Sequence, residues 1–288
     1  MKTILITGAN GQLGNEIKEI SGLYNYNFIF TDVDNLDITN IGALDNFFHD
    51  HYIDYIINCA AYTNVDKAED EPDKANLLNN IAVSNLVNIS KKYNVRLIHI
   101  STDYVFNGKA HEPYKEDHKT NPASVYGSSK LKGEEAIINS NIEYLIIRTS
   151  WLYSSFGNNF VKTMLRLGKE KNELKIIFDQ IGTPSYAYDL ANAILTIINK
   201  TETKQCKFVN GIYNYSNEGI CSWYDFAKEI FSISGIQCKA LPIETKDYPT
   251  AAARPNYSVL DKNKIKSTFG VEIPHWKESI VNCLKIIK

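Results

Sequence analysis

The sequence predicts an α/β protein: a doubly wound parallel sheet followed by a smaller mixed α/β unit. Three observations predict it. Short β-branched apolar runs alternate four times with stretches of helical length before residue 140, as in strands buried on both faces of a parallel sheet. The first run leads directly into a glycine-rich turn, Gly8-Ala-Asn10-Gly11-Gln12-Leu13-Gly14. After about residue 200 the alternation weakens. Uninterrupted βα units wind into a parallel sheet, and such sheets take their ligands at the C-terminal ends of the strands.

The first strand covers residues 3–7 and the helix after the glycine loop covers residues 12–20. Gly8 allows the tight turn, Gly11 lets backbone approach a pyrophosphate at the helix N-terminus, and Gly14 lets helix and strand pack closely. Strand, glycine loop and helix in this order point to a dinucleotide site; the plainer alternative is a β-to-α turn with no ligand. The second strand, residues 28–31, ends at Asp32. It falls roughly 20 residues beyond the loop, where a carboxylate takes the adenosine ribose hydroxyls of NAD and repels a 2′-phosphate. Asp34 is the competing carboxylate, a loop acid in water.

A helix is expected from about residue 36 to 50, and a third strand over 54–58. Cys59-Ala60-Ala61-Tyr62-Thr63 ends that strand with small residues, which leave room for a cofactor or simply fit a turn. A helix over 73–93 precedes the fourth strand, 95–100, which runs into Ser101-Thr102-Asp103-Tyr104. The next helix, 126–139, opens with Tyr126-Gly-Ser-Ser-Lys130.

Residues four apart share a helix face, so Tyr126 and Lys130 point towards the end of the preceding strand. A phenol with a pKa near ~10 is a slow proton donor at neutral pH. An ammonium one turn away is expected to lower it. Thr102 can hydrogen-bond the oxygen that Tyr126 protonates, which makes a proton-donating site for a carbonyl. A second Tyr-x-x-x-Lys, Tyr224 to Lys228, follows Ser222, an N-cap residue. No strand ending in Ser-Thr precedes it, so it reads as an ordinary helix.

The fifth strand covers 144–148 and ends in Thr149-Ser150-Trp151-Leu152-Tyr153. Trp151 is either core or a ring that stacks on substrate. A helix begins at Asn158-Asn159-Phe160, a sixth strand covers 174–178, and a polar loop, 179–185, leads into a helix over 187–200. The predicted division is a dinucleotide-binding Rossmann domain over 1–200 and a substrate-binding domain over 201–288. Residues 150–157 and 179–185 are expected to contribute to the substrate site. The second domain holds a strand at 211–215, a helix at 222–234, a strand at 238–241 and a last helix at 275–287. Its Ala253-Arg254-Pro255 loop carries one cation, read as a pyrophosphate ligand or as a surface arginine in water. Lys162, Arg166, Lys169 and Lys171 read as a solvated helix face.

The chain has 288 residues and a net charge of −2, enough for a sizeable core and no electrostatic reason to expect nucleic acid or an anionic membrane. No apolar run reaches the ~18 residues of a membrane span, and Met1-Lys2-Thr3 leads straight into a strand, so no signal peptide is expected. The five cysteines are scattered, without Cys-x-x-Cys spacing, so no metal is expected. The expectation is a cytoplasmic protein with reduced thiols.

Several runs carry a family resemblance: Thr7 to Gly14, Asn58 to Asp66, Ser101-Thr-Asp-Tyr-Val-Phe106 and Tyr126 to Glu134. It continues in Arg148-Thr-Ser-Trp-Leu-Tyr153, Asn158-Asn-Phe160, Asp179-Gln-Ile-Gly-Thr-Pro184 and Ala253 to Ser258. With them the chain resembles the extended short-chain dehydrogenase/reductases and, within these, the dTDP-4-dehydrorhamnose reductase family. The resemblance implies that NADH or NADPH reduces the C4 ketone of dTDP-4-dehydro-L-rhamnose. It implies Tyr126 as general acid, Lys130 tuning it and holding the nicotinamide ribose, and Thr102 orienting the carbonyl. Asp103 and Trp151 match the family's sugar contacts. Gly11, Gln12, Leu13, Asp32, Asp37, Ile38, Ala60, Ala61, Thr63, Tyr126 and Lys130 match its cofactor positions. Ser129 stands where the family usually has Thr. Glu16 matches one metal-bridging acid of dimeric members, but the chain ends in Ile286-Ile-Lys288 with no second acid, so a monomer or weak homodimer is expected.

Two rival functions follow from the same superfamily. A nucleotide-sugar 4,6-dehydratase places Glu directly after Thr-Asp, where this chain has Tyr104. A regulatory subunit, like the relative that partners methionine adenosyltransferase, need not keep Thr102, Tyr126 and Lys130.

Overall fold

Each apolar run expected to be a strand forms one in the computed structural model, which describes residues 1–287; Lys288, within the C-terminal run named above, lies outside the described residues. The first half of the chain builds β1 (Thr3–Thr7), α1 (Gln12–Ser21), β2 (Asn27–Thr31), α2 (Ile41–Asp50) and β3 (Tyr55–Asn58). Then come α3 (Val65–Asp70), α4 (Pro72–Asn76), α5 (Ala82–Tyr93), β4 (Arg96–Thr102), α6 (Val125–Ile138) and β5 (Tyr144–Thr149). The second half adds β6 (Leu152–Tyr153), α7 (Phe160–Glu170), β7 (Glu173–Ile177), β8 (Ile181–Gly182), β9 (Ser185–Tyr186), α8 (Ala187–Glu202) and β10 (Gly211–Asn214). It closes with β11 (Cys221–Ser222), α9 (Trp223–Ser234), β12 (Lys239–Ile243), α10 (Asn263–Phe269) and α11 (Trp276–Ile286).

The main sheet has six parallel strands in the order β10-β5-β4-β3-β1-β2. Alternate residues of each strand serve opposite faces, as the pleat requires. Ile4 and Ile6 pack with Leu13 and Ile17 of α1 and with Ile194 of α8. Leu5 points the other way, into Leu44 of α2, Leu86 of α5 and Ile137 of α6. The winding reverses between β1 and β3, and a ligand crevice opens at that reversal.

A second core lies beside the sheet. Val161 and Met164 of α7, Ile176 of β7, Phe226 and Ile230 of α9 and Ile280 of α11 pack together there, while β7 pairs with β12 rather than with β5. Two expectations therefore change. The run at 174–178 is a strand, but not the sixth of the main sheet; that place belongs to β10, a strand expected in the small unit. The single cut at residue 200 does not describe the arrangement either, because α7 and β7 contribute to the small core, whereas β10 pairs with β5 and Ile265 and Phe269 of α10 join the main core. The cause is physical: hydrophobic patterning reports that a segment is extended and two-sided, not which edge it pairs with.

Capping corrects one helix start and marks one helix that patterning did not give. The helix expected from residue 36 begins at Ile41, because the Asn40 side chain accepts from Ala43 N–H. Asp37 closes the turn before it by accepting from the backbone and hydroxyl of Thr39. The helix expected over 73–93 is preceded by α3, capped by Asn64, and interrupted by a π-turn over Leu77–Ile81. There Asn79 donates to Tyr62 O at 3.0 Å and to Ser129 Oγ at 3.0 Å, joining the loop after β3 to α6.

Candidate active site

The glycine loop is shaped by what lies against it. Gly8 has φ +65°, and a Cβ there would meet the backbone of Ala60 at 2.6 Å. A Cβ on Gly14 would meet Ala9 Cα at 2.5 Å. The loop thus sits directly on the end of β3 and hugs its own helix, leaving the α1 N-terminus facing the crevice. Asp32 reaches back from β2 and accepts from Asn10 N–H at 2.9 Å. A cleft of about 490 Å³ opens here, lined by Gly11, Gln12, Leu13, Ala61 and Thr63 on one side and by Thr102, Asp103, Tyr126 and Lys130 on the other. The cradle of glycine backbone, helix N-terminus and carboxylate fits a dinucleotide.

Not every expected cofactor position lines that cleft. Gly8, Gly14 and Ala60 shape its floor by packing, and Asn10 and Asp32 flank it. Asp37 serves its turn, and the Ile38 side chain is buried in the core. Ile100, not singled out from the sequence, also lines it, together with Gly157 of the 150–157 stretch expected at the substrate site and Asn158 of the Asn-Asn-Phe run. Asn159 ties that loop to the helix by donating to Gln12 Oε1 at 2.9 Å. The Asn-Asn-Phe run was visible in the sequence as a helix start, but its contact with α1 depends on chain return and has no local signal.

β4 ends in Thr102, whose hydroxyl donates to Asp103 Oδ1 at 3.0 Å. The other Asp103 oxygen is buried without a hydrogen-bond partner among the described residues, and burial pushes this carboxyl up to about 7. Tyr126 is the second residue of α6, which Ser124 caps by accepting from Gly127 N–H. Burial pushes the Tyr126 phenol well up; its hydrogen bond with Thr102 is the one influence that lowers it. The Lys130 ammonium, expected to lower the phenol, is engaged elsewhere. Lys130 Nζ donates instead to Ile100 O at 2.6 Å and sits 3.2 Å from His99 Nε2, because the long side chain reaches under the strand. Burial lowers Lys130 itself to about 8, with Glu134 and Cys59 opposing.

A buried ion pair fixes the helix. Arg148 of β5 grips Glu134 with two bonds, Nε to Oε1 at 2.9 Å and Nη2 to Oε2 at 2.6 Å. Ser101 Oγ donates to the same carboxylate at 2.5 Å, and Arg148 Nη1 donates to Glu116 O at 3.1 Å. Both side chains are at most 2% exposed. Glu134 lies one turn beyond Lys130, so the pair sets the rotation of α6 against β4 and β5.

A second, larger cleft of about 960 Å³ meets the first at Tyr104 and Trp151. Arg254, Asp66, Gln180, Trp223 and Tyr248 line it. Arg254 is not a surface residue in water: it donates to Tyr104 OH at 3.2 Å and pairs with Asp66. Trp151 has φ +48°, a strained conformation for a bulky residue. One face of its ring is stacked on Trp223 at 3.5 Å. Tyr104 packs edge-on against Tyr126, so the position that is Glu in dehydratases presents a phenol to the cleft. The decoy pair behaves as read: Ser222 and Asp225 form a capping box and Lys228 lies over the Tyr224 ring. Glu16, the matched metal-bridging acid, is buried and accepts from Ser154 Oγ at 2.5 Å. No helix among the described residues is long and apolar enough to cross a membrane.

Fold and site together define a dinucleotide-binding α/β protein with the Tyr/Lys site of the short-chain dehydrogenase/reductases. The chain belongs to the family described as RmlD substrate binding domain, whose model matches residues 1–288. It is 40% identical to a dTDP-4-dehydrorhamnose reductase of Aggregatibacter actinomycetemcomitans, covering 98% of both chains. It is also 40% identical to the spore coat polysaccharide biosynthesis protein SpsK of Bacillus subtilis, over 97% of this chain and 96% of that one. Among solved structures it resembles a dTDP-4-dehydrorhamnose reductase of Clostridium acetobutylicum, at 44% identity and TM-score 0.94 over 99% of both chains. A Bacillus anthracis dTDP-4-dehydrorhamnose reductase in complex with NADP matches at 41% identity and TM-score 0.93, again over 99% of both.

Proposed function

We propose that the chain reduces the C4 ketone of dTDP-4-dehydro-L-rhamnose to dTDP-L-rhamnose with NADH or NADPH. The observation that carries this reading is the meeting of the two clefts: Thr102, Asp103 and Tyr126 line the cofactor cleft where Tyr104 and Trp151 connect it to the larger one. The bound nicotinamide supplies the hydride. Gly8, Asn10, Gly11, Gln12, Leu13 and Gly14 form the pyrophosphate turn, Asp32, Asp37 and Ile38 the adenosine side, and Ala60, Ala61 and Thr63 the floor. Thr102 holds the ketone oxygen and Tyr126 gives it a proton, while Lys130 holds the nicotinamide ribose. Asp103 and Trp151 contact the sugar. Tyr104 in place of a carboxylate leaves no second base for dehydration. In this reading the enzyme works in the cytoplasm as a monomer or weak homodimer, and Glu16, engaged by Ser154, is not free to bridge a metal. The direct test is oxidation of NADH and NADPH in the presence of the ketosugar.

Two outcomes follow for the ligands. Asp32 faces the glycine loop, so kcat/KM for NADH is expected to at least equal that for NADPH. A hydrogen bond to a charged group is worth ~1.5–3 kcal/mol, so Asp32→Ala should cost NADH about tenfold. A hundredfold preference of the wild type for NADPH would contradict this role.

Arg254 supports the sugar-nucleotide half. A buried pyrophosphate favours a cation with several donors in a fixed plane. The guanidinium lines the larger cleft, paired with Asp66 and Tyr104. Arg254→Ala is expected to raise KM for the dTDP-sugar about tenfold and leave KM for NADH alone, and Trp151→Ala should weaken the same substrate. Calorimetry with dTDP-rhamnose decides: unchanged affinity in both variants places the sugar nucleotide elsewhere.

A further inference from the structure

A buried chain of polar groups runs behind Lys130, and its hydrogen-bonding logic has one consistent solution. Asn58, at the end of β3, accepts at Oδ1 from Thr7 Oγ1 at 2.7 Å and from Ala60 N–H at 3.2 Å. A backbone N–H can only donate, so it fixes which end of the amide faces it. The amide nitrogen must then face His99 Nδ1, at 2.9 Å. That nitrogen donates, so Nδ1 must accept, and a neutral imidazole carries its single proton on Nε2. Nε2 is 3.2 Å from Lys130 Nζ. An N–H pointed at an ammonium would set donor against donor, whereas an amine offers a lone pair.

We propose that His99, oriented by Asn58, is a positioning residue that donates its Nε2–H to Lys130 and favours the neutral amine of that side chain. Asn58 and His99 are fully buried, so water does not relieve the conflict. Burial alone keeps His99 uncharged and, with the adjacent Lys130, lowers its proton affinity well below that of an ordinary histidine. The same direction holds for Lys130. The other groups facing Lys130 act the opposite way or are already engaged. Glu134, on its own helix, is bound to Arg148 of β5, and Cys59, after β3, favours the ammonium as a neighbouring thiol. Tyr126 lies one turn back, with Thr102 at its oxygen. The Asn58–His99 pair thus acts with burial to hold the charge change of Lys130 in the working pH range. Turnover should then fall as pH rises through that change, because the neutral amine is a weaker donor to the nicotinamide ribose than the ammonium.

This inference rests on the reading of Lys130 as part of the reductase site, and its test reads charge without substrate. In the full-length protein labelled with ¹⁵N-histidine and ¹³Cε-lysine, magnetic resonance should show His99 with Nδ1 bare and the proton on Nε2; His99→Gln identifies the signal. Lys130, identified by Lys130→Arg, should titrate well below the exposed lysines. Asn58→Ala introduces no charge but frees the ring to turn an acceptor towards Lys130. Its Lys130 midpoint should rise by about one pH unit, a tenfold gain in proton affinity, and the basic limb of kcat should move up with it. A wild-type His99 protonated on Nδ1 overturns the proposal, as does an unchanged Lys130 midpoint in Asn58→Ala. If that variant does not fold, the wild-type tautomer decides alone. Titration as inferred without ketosugar reduction would leave this proposal standing and remove the substrate assignment.

Discussion

Tyr126→Phe is expected to abolish ketosugar reduction and leave cofactor binding nearly intact. The substitution removes one oxygen and the phenolic proton that α6 presents beside Thr102. General acid catalysis of this kind contributes ~10²–10⁴-fold, and kcat should drop by that factor. The phenol is held well above its ordinary range by burial, so it is fully protonated at neutral pH; the site keeps the acid loaded rather than tuned towards phenolate. Titration of NADH into the variant should give an affinity within a few-fold of wild type, since the glycine cradle and Asp32 are untouched. Tyr224→Phe, in the capped helix α9, supplies the control and should turn over normally. Activity of Tyr126→Phe within a few-fold of wild type would show that another group donates the proton.

Arg148→Met carries the largest expected loss of stability. It leaves the Glu134 carboxylate buried beside Ser101 with its bidentate cation gone. Breaking a fully buried pair from one side costs about 3–5 kcal/mol, a large share of the ~5–15 kcal/mol that holds a folded protein together. Urea denaturation should show the midpoint fall sharply. The double variant Arg148→Met with Glu134→Gln should regain part of the loss, because no uncompensated charge remains. A fall of less than about 1 kcal/mol in the single variant would show that the pair does not hold α6 in place. Because Glu134 is one turn from Lys130, the surviving folded fraction should also bind cofactor less well.

The strands and the glycine loop were legible because their information is local. β1 alternates Ile4, Leu5 and Ile6 between the two faces, and Gly8 stands where only glycine fits against Ala60. The pairing of β7 with β12 and the place of β10 beside β5 were not legible, since strand patterning carries no partner label. The helix starts at Ile41 and Val65 were set by Asn40 and Asn64, caps that patterning alone passed over. At the site, Thr102, Tyr126 and the glycine positions stood out by context. The direction of Lys130 did not: helical spacing gives the face of a side chain, not the acceptor that its four-carbon stem finds, here Ile100 O. The Arg254–Asp66 pair joins residues far apart in the chain and left no trace in either segment.

The central claim is that one site joins a reduced nicotinamide to the C4 ketone of a dTDP-sugar. The measurement that tests it most directly is the oxidation of NADH and NADPH by the purified protein with dTDP-4-dehydro-L-rhamnose, with the product identified by magnetic resonance. The expected result is ketosugar-dependent oxidation that yields dTDP-L-rhamnose and disappears in Tyr126→Phe. Tight binding of the cofactor with no oxidation, or a product in which the C4 ketone is intact, would contradict it.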